Sequence, residues 1–95
     1  FPEVPTAFTL GQNFPNPFNG ATTIPVTTLT EIPLKVEILD VRGRTVKTFE
    51  IEQDSNPYFY WNGTNIDGQF VPAGVYLYRA AAGDNQQVRK MIYLP

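Results

Sequence analysis

The sequence predicts an all-β protein, an antiparallel β-sandwich of about seven strands. Short runs rich in β-branched and aromatic residues recur along the chain, and turn signals separate them about every eight to twelve residues, a spacing typical of sandwiches and barrels. No window shows the period of a helix. With 95 residues, the chain fits one domain with a modest core.

Two strands are predicted in the first third of the chain. The first is short and covers about Ala7 to Leu10. In the second, "TTIPVTTL", Ile24 and Val26 face inward, while Thr23, Pro25 and Thr27 face out. Pro25 has no N–H to donate to a ladder, so we expect this strand to be an edge strand or a bulged one.

The next two runs predict a hairpin. "LKVEILDV" alternates apolar with charged residues, which places Leu34, Val36 and Ile38 on one face. "RGR" then turns the chain at Gly43, and "TVKTFEI" returns.

A long connection precedes the sixth strand. The segment 62–74, "NGTNIDGQFVPAG", is rich in residues that tolerate or impose turn dihedrals, so we expect a structured crossing loop. In "VYLYRAAA", Arg79 shares a face with Val75 and Leu77. The opposite face is therefore the expected core face: Tyr76, Tyr78 and Ala80.

Two further strands alternate without deciding which face is buried. In "YFYW", either the two tyrosines or Phe59 and Trp61 could face the core. In the last run, "VRKMIYL", each face carries apolar residues beside one cation. The two faces are Val88, Lys90, Ile92 and Leu94, and Arg89, Met91 and Tyr93.

Proline is densest in "NFPNPFNG", which places two prolines between two phenylalanines. Proline fixes φ and biases the preceding residue towards extended conformations, so we expect an extended, turn-rich peg. Burying one phenylalanine is worth roughly 1.5–3 kcal/mol, and we expect both to dock, with the prolines lowering the entropy lost. The predicted docking residues are Phe14, Pro15, Pro17 and Phe18. They would fasten a proline-stiffened linker, residues 1–5, onto a domain spanning 6–95.

The composition argues against several classes of function. Seven Lys plus Arg and a net charge of -2 argue against nucleic-acid binding, which needs a basic face. No apolar run approaches the roughly 20 residues of a membrane span. The chain has no cysteine and no histidine, which removes thiolate and imidazole catalysis and the usual zinc sites. We expect no catalytic residue, no metal and no cofactor.

Other possible sites have simpler structural explanations. The nine carboxylates are scattered, with no spacing that pairs two of them. "NGT" at Asn62 matches a glycosylation sequon, but a turn explains it better. A domain without disulfides needs aromatic mass inside, so we expect Trp61, Tyr76 and Tyr78 in the core. The candidates for a carbohydrate platform at the surface are Tyr58, Tyr60 and Tyr93.

Four segments together carry a resemblance to a known family: "LGQNFPNPFNGATTI", "LKVEILDVRGRTV", "WNGTNIDGQFVPAGVYLYR" and "VRKMIYLP". In this order and combination they resemble the C-terminal sorting domain of the type IX, or Por, secretion system of Bacteroidetes and their relatives. The likeness runs from about Leu10 to Pro95. The chain is similar, less closely, to the immunoglobulin-like domain of the flagellar hook-capping protein. The resemblance implies an immunoglobulin-like β-sandwich of seven strands.

The resemblance also implies partners and a route. In that family the domain ends large exported proteins, is recognised in the periplasm and carries its cargo through the outer membrane to the cell surface or medium. The expected partners are the type IX translocon with its cell-surface processing machinery, and a covalently linked upstream cargo domain. Asp40 and Gly43 would lie in the middle motif. The residues implied in export recognition are Gly74, Tyr76, Arg89, Lys90, Met91, Ile92 and Leu94.

Two positions depart from the family pattern, since Asn62 stands where aspartate is frequent and Pro25 interrupts a strand that is usually unbroken. Two functions stay open. The leading one is a non-enzymatic secretion signal, recognised as a folded domain, in which Arg89 and Lys90 offer positive charge beside a strand edge. The alternative is an accessory immunoglobulin-like module that binds glycan or spaces a catalytic domain. Position would separate the two, since a sorting domain ends its precursor at or near Pro95.

Overall fold

The computed structural model describes residues 8–28, 34–51 and 58–95, which form seven strands. The described residues contain no helix that could cross a membrane. The predicted linker at 1–5 lies outside the described residues. The strands are β1 (Phe8–Leu10), β2 (Thr22–Thr28), β3 (Leu34–Leu39), β4 (Thr45–Ile51), β5 (Tyr58–Trp61), β6 (Gly74–Ala82) and β7 (Asn85–Tyr93).

The strands form two sheets, and all strand pairs are antiparallel. One sheet has the order β1-β2-β5, and the other has the order β4-β3-β6-β7. The predicted sandwich is confirmed, and the hairpin at Gly43 joins β3 to β4 as expected. The loop at 62–73 crosses from one sheet to the other.

The core lies between the sheets, and the predicted inward faces of β2, β3 and β6 are buried. On these strands a charged or polar residue marks the outer face, so alternation alone identifies the inner one. The structure also decides the two open cases, because Phe59 and Trp61 of β5, and Met91 and Tyr93 of β7, are buried.

The prediction that Pro25 makes β2 an edge strand or a bulged one is wrong, because β2 is the central strand of its sheet and its pairings with β1 and β5 both run in register. β1 pairs with Val26 to Thr28, while β5 pairs with Thr22 to Pro25 on the other side. Pro25 accepts a hydrogen bond from the Gly11 N–H (2.9 Å) and cannot return one. A Cβ on Gly11 would lie 2.7 Å from Pro25 Cγ, so glycine at 11 makes room for the proline ring.

The strand register defines two ends of the sandwich. At the linker end, β1 begins at Phe8 and β6 turns into β7 at Gly83 and Asp84. At the motif end lie four connecting or flanking segments: the proline loop (13–20), the β3–β4 turn (40–44), the crossing loop (62–73) and residues 93–95. Each of these four lies within one of the four segments that carry the sequence resemblance. The motifs therefore converge at one end.

Candidate functional site

An aromatic cluster occupies the core at the motif end. It takes one ring from the proline loop and one from each of the strands β5, β6 and β7. Phe18 of the proline loop stacks on Tyr93 of β7, with ring centroids 5.0 Å apart, and meets Trp61 edge-on at 5.6 Å. Trp61 in turn packs against Tyr76 at 5.2 Å. All four rings are buried, as expected for Trp61 and Tyr76. Such pairs add stability beyond that of the buried area.

Hydrogen bonds fix the rings of this cluster. The Trp61 indole N–H donates to the Thr64 carbonyl (2.8 Å), and the Tyr76 hydroxyl donates to the Pro72 carbonyl (2.6 Å). Burial raises the pKa of the Tyr76 phenol. The Thr64 hydroxyl donates to the Asn62 side-chain oxygen (2.5 Å). Asn62 therefore acts as an acceptor within the loop, in agreement with the turn interpretation of "NGT".

Gly63 explains why tryptophan, asparagine and glycine occur together. Its φ is +80°, and a Cβ there would overlap the ring of Tyr93. Glycine is required twice over, by the backbone conformation and by the close approach of β7. The crossing loop and the terminal strand thus fit each other through this position.

The proline loop is hydrogen-bonded to the end of β7. The Phe18 N–H donates to the Ile92 carbonyl (3.0 Å), and the Leu94 N–H donates to the Phe18 carbonyl (2.8 Å). The Asn16 side chain accepts from the Ile92 N–H (2.9 Å). Both peptide bonds that precede Pro15 and Pro17 are cis. This part of the β7 edge is therefore already paired.

The expectation that both phenylalanines of the loop are buried is wrong for Phe14. Phe18 is 2% exposed but Phe14 is 79% exposed. Phe14 exchanges two backbone hydrogen bonds with Thr23 and continues the sheet beside β2, so its side chain points outward and that of Asn13 points inward.

Asn13 is buried in a polar network that sequence reasoning missed. Its N–H donates to the Tyr78 hydroxyl (2.8 Å), which donates to the Gly11 carbonyl (2.9 Å). Its amide nitrogen donates to the Thr22 hydroxyl (3.0 Å). Asparagine residues are usually exposed, so no pattern in the sequence singles this one out.

The β3–β4 turn is organised by a single carboxylate. Asp40 accepts from the N–H groups of Arg42 and Arg44 (2.9 Å each), and the Arg44 guanidinium approaches it at 2.8 Å. These hydrogen bonds hold the pKa of Asp40 below its usual value, and the bond from the Arg44 N–H has the largest effect. Glu37 of β3 forms an ion pair with Arg79 of β6, with 2.9 Å between the guanidinium nitrogen and the carboxylate oxygen. The hydrogen bond from Arg79 lowers the pKa of Glu37.

The seven residues named for export recognition separate into buried and accessible groups. Tyr76 and Met91 are buried, so no partner can contact their side chains in the folded domain. Ile92 and Gly74 are partly exposed, and the φ of Gly74 is +146°. The accessible side chains are those of Arg89, Lys90 and Leu94.

The two neighbouring cations do different things. The Arg89 Nε donates to the Leu10 carbonyl (2.7 Å) of β1. Next to it, the Gln87 amide donates to the Phe8 carbonyl (2.7 Å) and accepts from the Leu10 N–H (2.8 Å). Side chains of β7 therefore cover the edge of β1. Lys90 lies on the outer face of the sheet and forms no ion pair among the described residues.

The surface tyrosines predicted for a carbohydrate platform do not form one group. Tyr93 is buried in the aromatic cluster, so its assignment to the surface is wrong. Both faces of β7 carry apolar residues, and packing against Phe18 and Gly63 decides which faces in. Tyr60 is exposed, and the side chain of Tyr58 lies outside the described part.

The family of secretion system C-terminal sorting domains matches residues 12–93. The chain belongs to this family. It is a sorting-signal domain of the type IX secretion system, which directs proteins to the cell surface or extracellular space. The structural similarities below agree with this assignment and do not favour the accessory-module alternative.

Solved structures share the fold. A part of PorU from Porphyromonas gingivalis, solved as a latent dimer, superposes with a TM-score of 0.79 at 25% identity. PorZ of the same species, an essential bacterial surface component of the type-IX secretion system, gives 0.68 at 22% identity. FlgD from Xanthomonas campestris, which caps the flagellar hook, gives 0.60 at 24% identity.

The extent of these matches differs. They cover 97%, 88% and 94% of this chain but 10% of PorU, 11% of PorZ and 63% of FlgD. The chain therefore spans about a tenth of the length of PorU and of PorZ. No match was found among curated proteins.

Proposed function

We propose that this domain directs a covalently linked upstream cargo through the periplasm and the outer membrane, and that the type IX translocon and its cell-surface processing machinery act on it. The observation that carries the proposal is the convergence of the family motifs at the end of the sandwich opposite to Phe8, the first described residue. An upstream cargo would leave that end open to a partner.

The proposal assigns two kinds of role to the terminal strand. Met91, with Tyr76 of the neighbouring strand, shapes the strand from within the core. Lys90 and Leu94 offer contacts at the surface, and Ile92 contributes its exposed part. Arg89 combines an exposed position with its hydrogen bond to β1, so it also holds the cargo-proximal strand in place. Gly74 provides the turn into β6.

Linker docking is proposed for the proline loop, with one change. Phe18 is the buried anchor, and Pro15 and Pro17 shape the loop that positions it. This loop directly follows β1, so its anchor at Phe18 fixes the chain that leaves β1. Phe14 takes no part in that anchoring because its side chain faces solvent.

The experiment places residues 1–95 behind a leader and a fluorescent reporter. In a type IX-competent host the reporter should reach the cell surface or medium, and in a host without the system it should stay in the periplasm. Equal distribution in both hosts would reject the proposal.

Substitution is a better probe of recognition than truncation, because removing residues 91–95 would also remove Met91 and Tyr93 from the core. Lys90→Glu should lower export without changing the melting temperature. Lys35→Glu is the matched control, since Lys35 is an exposed lysine of the same sheet. Equal export of the two variants would show that Lys90 takes no part in recognition.

A further inference from the structure

Five large apolar side chains are exposed at the motif end, on segments that come together only in the fold. Their exposed fractions lie between 53% for Leu94 and 80% for Ile66. The described residues include eight such side chains, and these five occupy all four segments at this end. We call them the tip surface: Phe14, Val41, Ile66, Phe70 and Leu94.

Hydrogen bonds order the backbone of two of the segments that carry these side chains. The Asn65 side chain accepts from the N–H groups of Asp67 and Gln69 (2.9 and 3.0 Å), and the Ile66 N–H donates to the Val46 carbonyl (3.1 Å). Val41 lies in the turn that Asp40 organises. Pre-organised loops lose little conformational entropy on binding. The tip surface is therefore built to present apolar groups.

Two clefts lie among the exposed side chains. One, of about 380 Å³, is lined by Ile66, Val71 and Tyr76 together with the Asp40–Arg44 pair. The other, of about 400 Å³, is lined by Phe18 and Leu94 with both prolines of the loop. Projecting apolar groups beside clefts are the features that protein interfaces use as anchors and pockets.

The charge at this end favours a protein over a lipid surface. Binding to an anionic membrane uses a cluster of Lys or Arg residues. Here Arg44 is paired with Asp40, and Asp67 lies in the same loop as Ile66. Arg42 is therefore not part of a basic cluster. The chain as a whole carries a net charge of -2.

We propose that the tip surface is a docking site for an apolar surface of a protein component of the type IX machinery. This inference rests on the proposed function and adds to it a contact surface outside the terminal strand. Val41, Ile66 and Phe70 enter recognition through it, and the exposed side chain of Phe14 gains a role. A cargo attached upstream of Phe8, the first described residue, would join β1 at the opposite end of the sandwich.

The test uses the reporter fusion with the triple variant Val41→Ser, Ile66→Ser and Phe70→Ser. Removing apolar anchors at the centre of an interface weakens binding at least about tenfold, so we expect a comparable fall in the exported fraction. Val88→Ser is the matched control, since Val88 is exposed on β7 away from the tip. The single variant Ile66→Asp serves if the triple variant does not fold.

Each outcome decides the inference. Loss of export in a variant that melts like the wild type, with Val88→Ser unaffected, supports it. Wild-type export of the triple variant, or equal loss in the control, overturns it. If the wild-type chain, but not the triple variant, sediments with phosphatidylethanolamine–phosphatidylglycerol vesicles, the tip surface binds lipid and the inference is overturned. Failure of the unsubstituted fusion to depend on the type IX system would instead reject the proposed function.

Discussion

The inward face of β6 changes along its length, with Tyr76 and Tyr78 towards the motif end and Ala80 and Ala82 towards the linker end. Four packed rings fill the space between the sheets at the motif end, whereas at the linker end the alanines of β6 share the core with the buried side chains of Phe8 and Leu34. The motif end is held by ring packing and by backbone pairing of the proline loop with β7. At the linker end, side chains of β7 hydrogen-bond to the backbone of β1.

The difference indicates how stability and recognition share one small domain. Four buried residues of the family motifs build the cluster, and the loops with exposed apolar side chains lie at the same end of the sandwich. A rigid core beneath the loops fixes their geometry, which a docking surface needs.

The largest expected effect comes from the centre of the cluster. Trp61→Ala removes a fully buried ring and should lower the free energy of unfolding by roughly 3–5 kcal/mol, enough to unfold a domain of this size. Urea denaturation followed by circular dichroism measures it. Tyr60→Ala, at the exposed neighbouring position, should cost less than about 1 kcal/mol. Similar losses in both variants would mean that Trp61 is not the centre of the core.

The next effect separates backbone strain from close approach. Gly63→Ala places a methyl group against the Tyr93 ring, and overpacking costs about 1–3 kcal/mol in addition to about 1 kcal/mol for the positive φ. Gly43→Ala has the same φ class (+83°) but open space around the new Cβ. Thermal melting should therefore show a larger loss for Gly63→Ala. Equal losses would contradict the packing of the crossing loop against β7.

At the linker half we expect a smaller cost that distinguishes two adjacent cations. Arg89→Met deprives the Leu10 carbonyl of its charged donor and should cost about 1–3 kcal/mol. Lys90→Met, on the outer face, should cost less than about 0.5 kcal/mol. Denaturant titration of the two variants gives the comparison, and the reverse order would show that Arg89 does not secure β1.

The alternation of the sequence was sufficient to predict the buried face of β2, β3 and β6, but not that of β5 and β7. In β3 and β6 the charged residues Lys35, Glu37 and Arg79 mark the outer face, so the core face follows from the pattern. In β5 and β7 both faces are apolar, and the choice is made by residues distant in sequence. Phe18 and Gly63 decide it for β7.

The errors at Phe14 and Pro25 have a common cause. Each depends on which side of β2 is paired, and that is fixed by tertiary contacts rather than by local preference. The buried Asn13 beside Phe14 forms hydrogen bonds with its neighbours Gln12 and Pro15 and also with the side chains of Thr22 and Tyr78, which lie farther away in the sequence. Likewise, the sequence alone suggests that the Gln87 amide is exposed, whereas in the fold it forms hydrogen bonds with the backbone of β1.

The smallest expected effect is a dependence on pH. Because the folded pKa of Glu37 lies below its unfolded value near 4.5, the unfolded state binds more protons between the two values. The stabilisation is present above about pH 4.5 and is lost as the pH falls through the folded pKa. Glu37→Gln should therefore weaken the acid dependence of the melting temperature, and an unchanged dependence would exclude the Arg79 pair as its source.

The most direct test of the account is native-state hydrogen exchange at the Phe18 and Leu94 amides, which join the proline loop to β7. If the motif end is one cooperative unit, both amides exchange only on global unfolding, with the same opening free energy as the Tyr78 amide of the central strand β6. Opening free energies more than about 2 kcal/mol below that of Tyr78 would show that the loop detaches by itself. That result would contradict a pre-organised motif end.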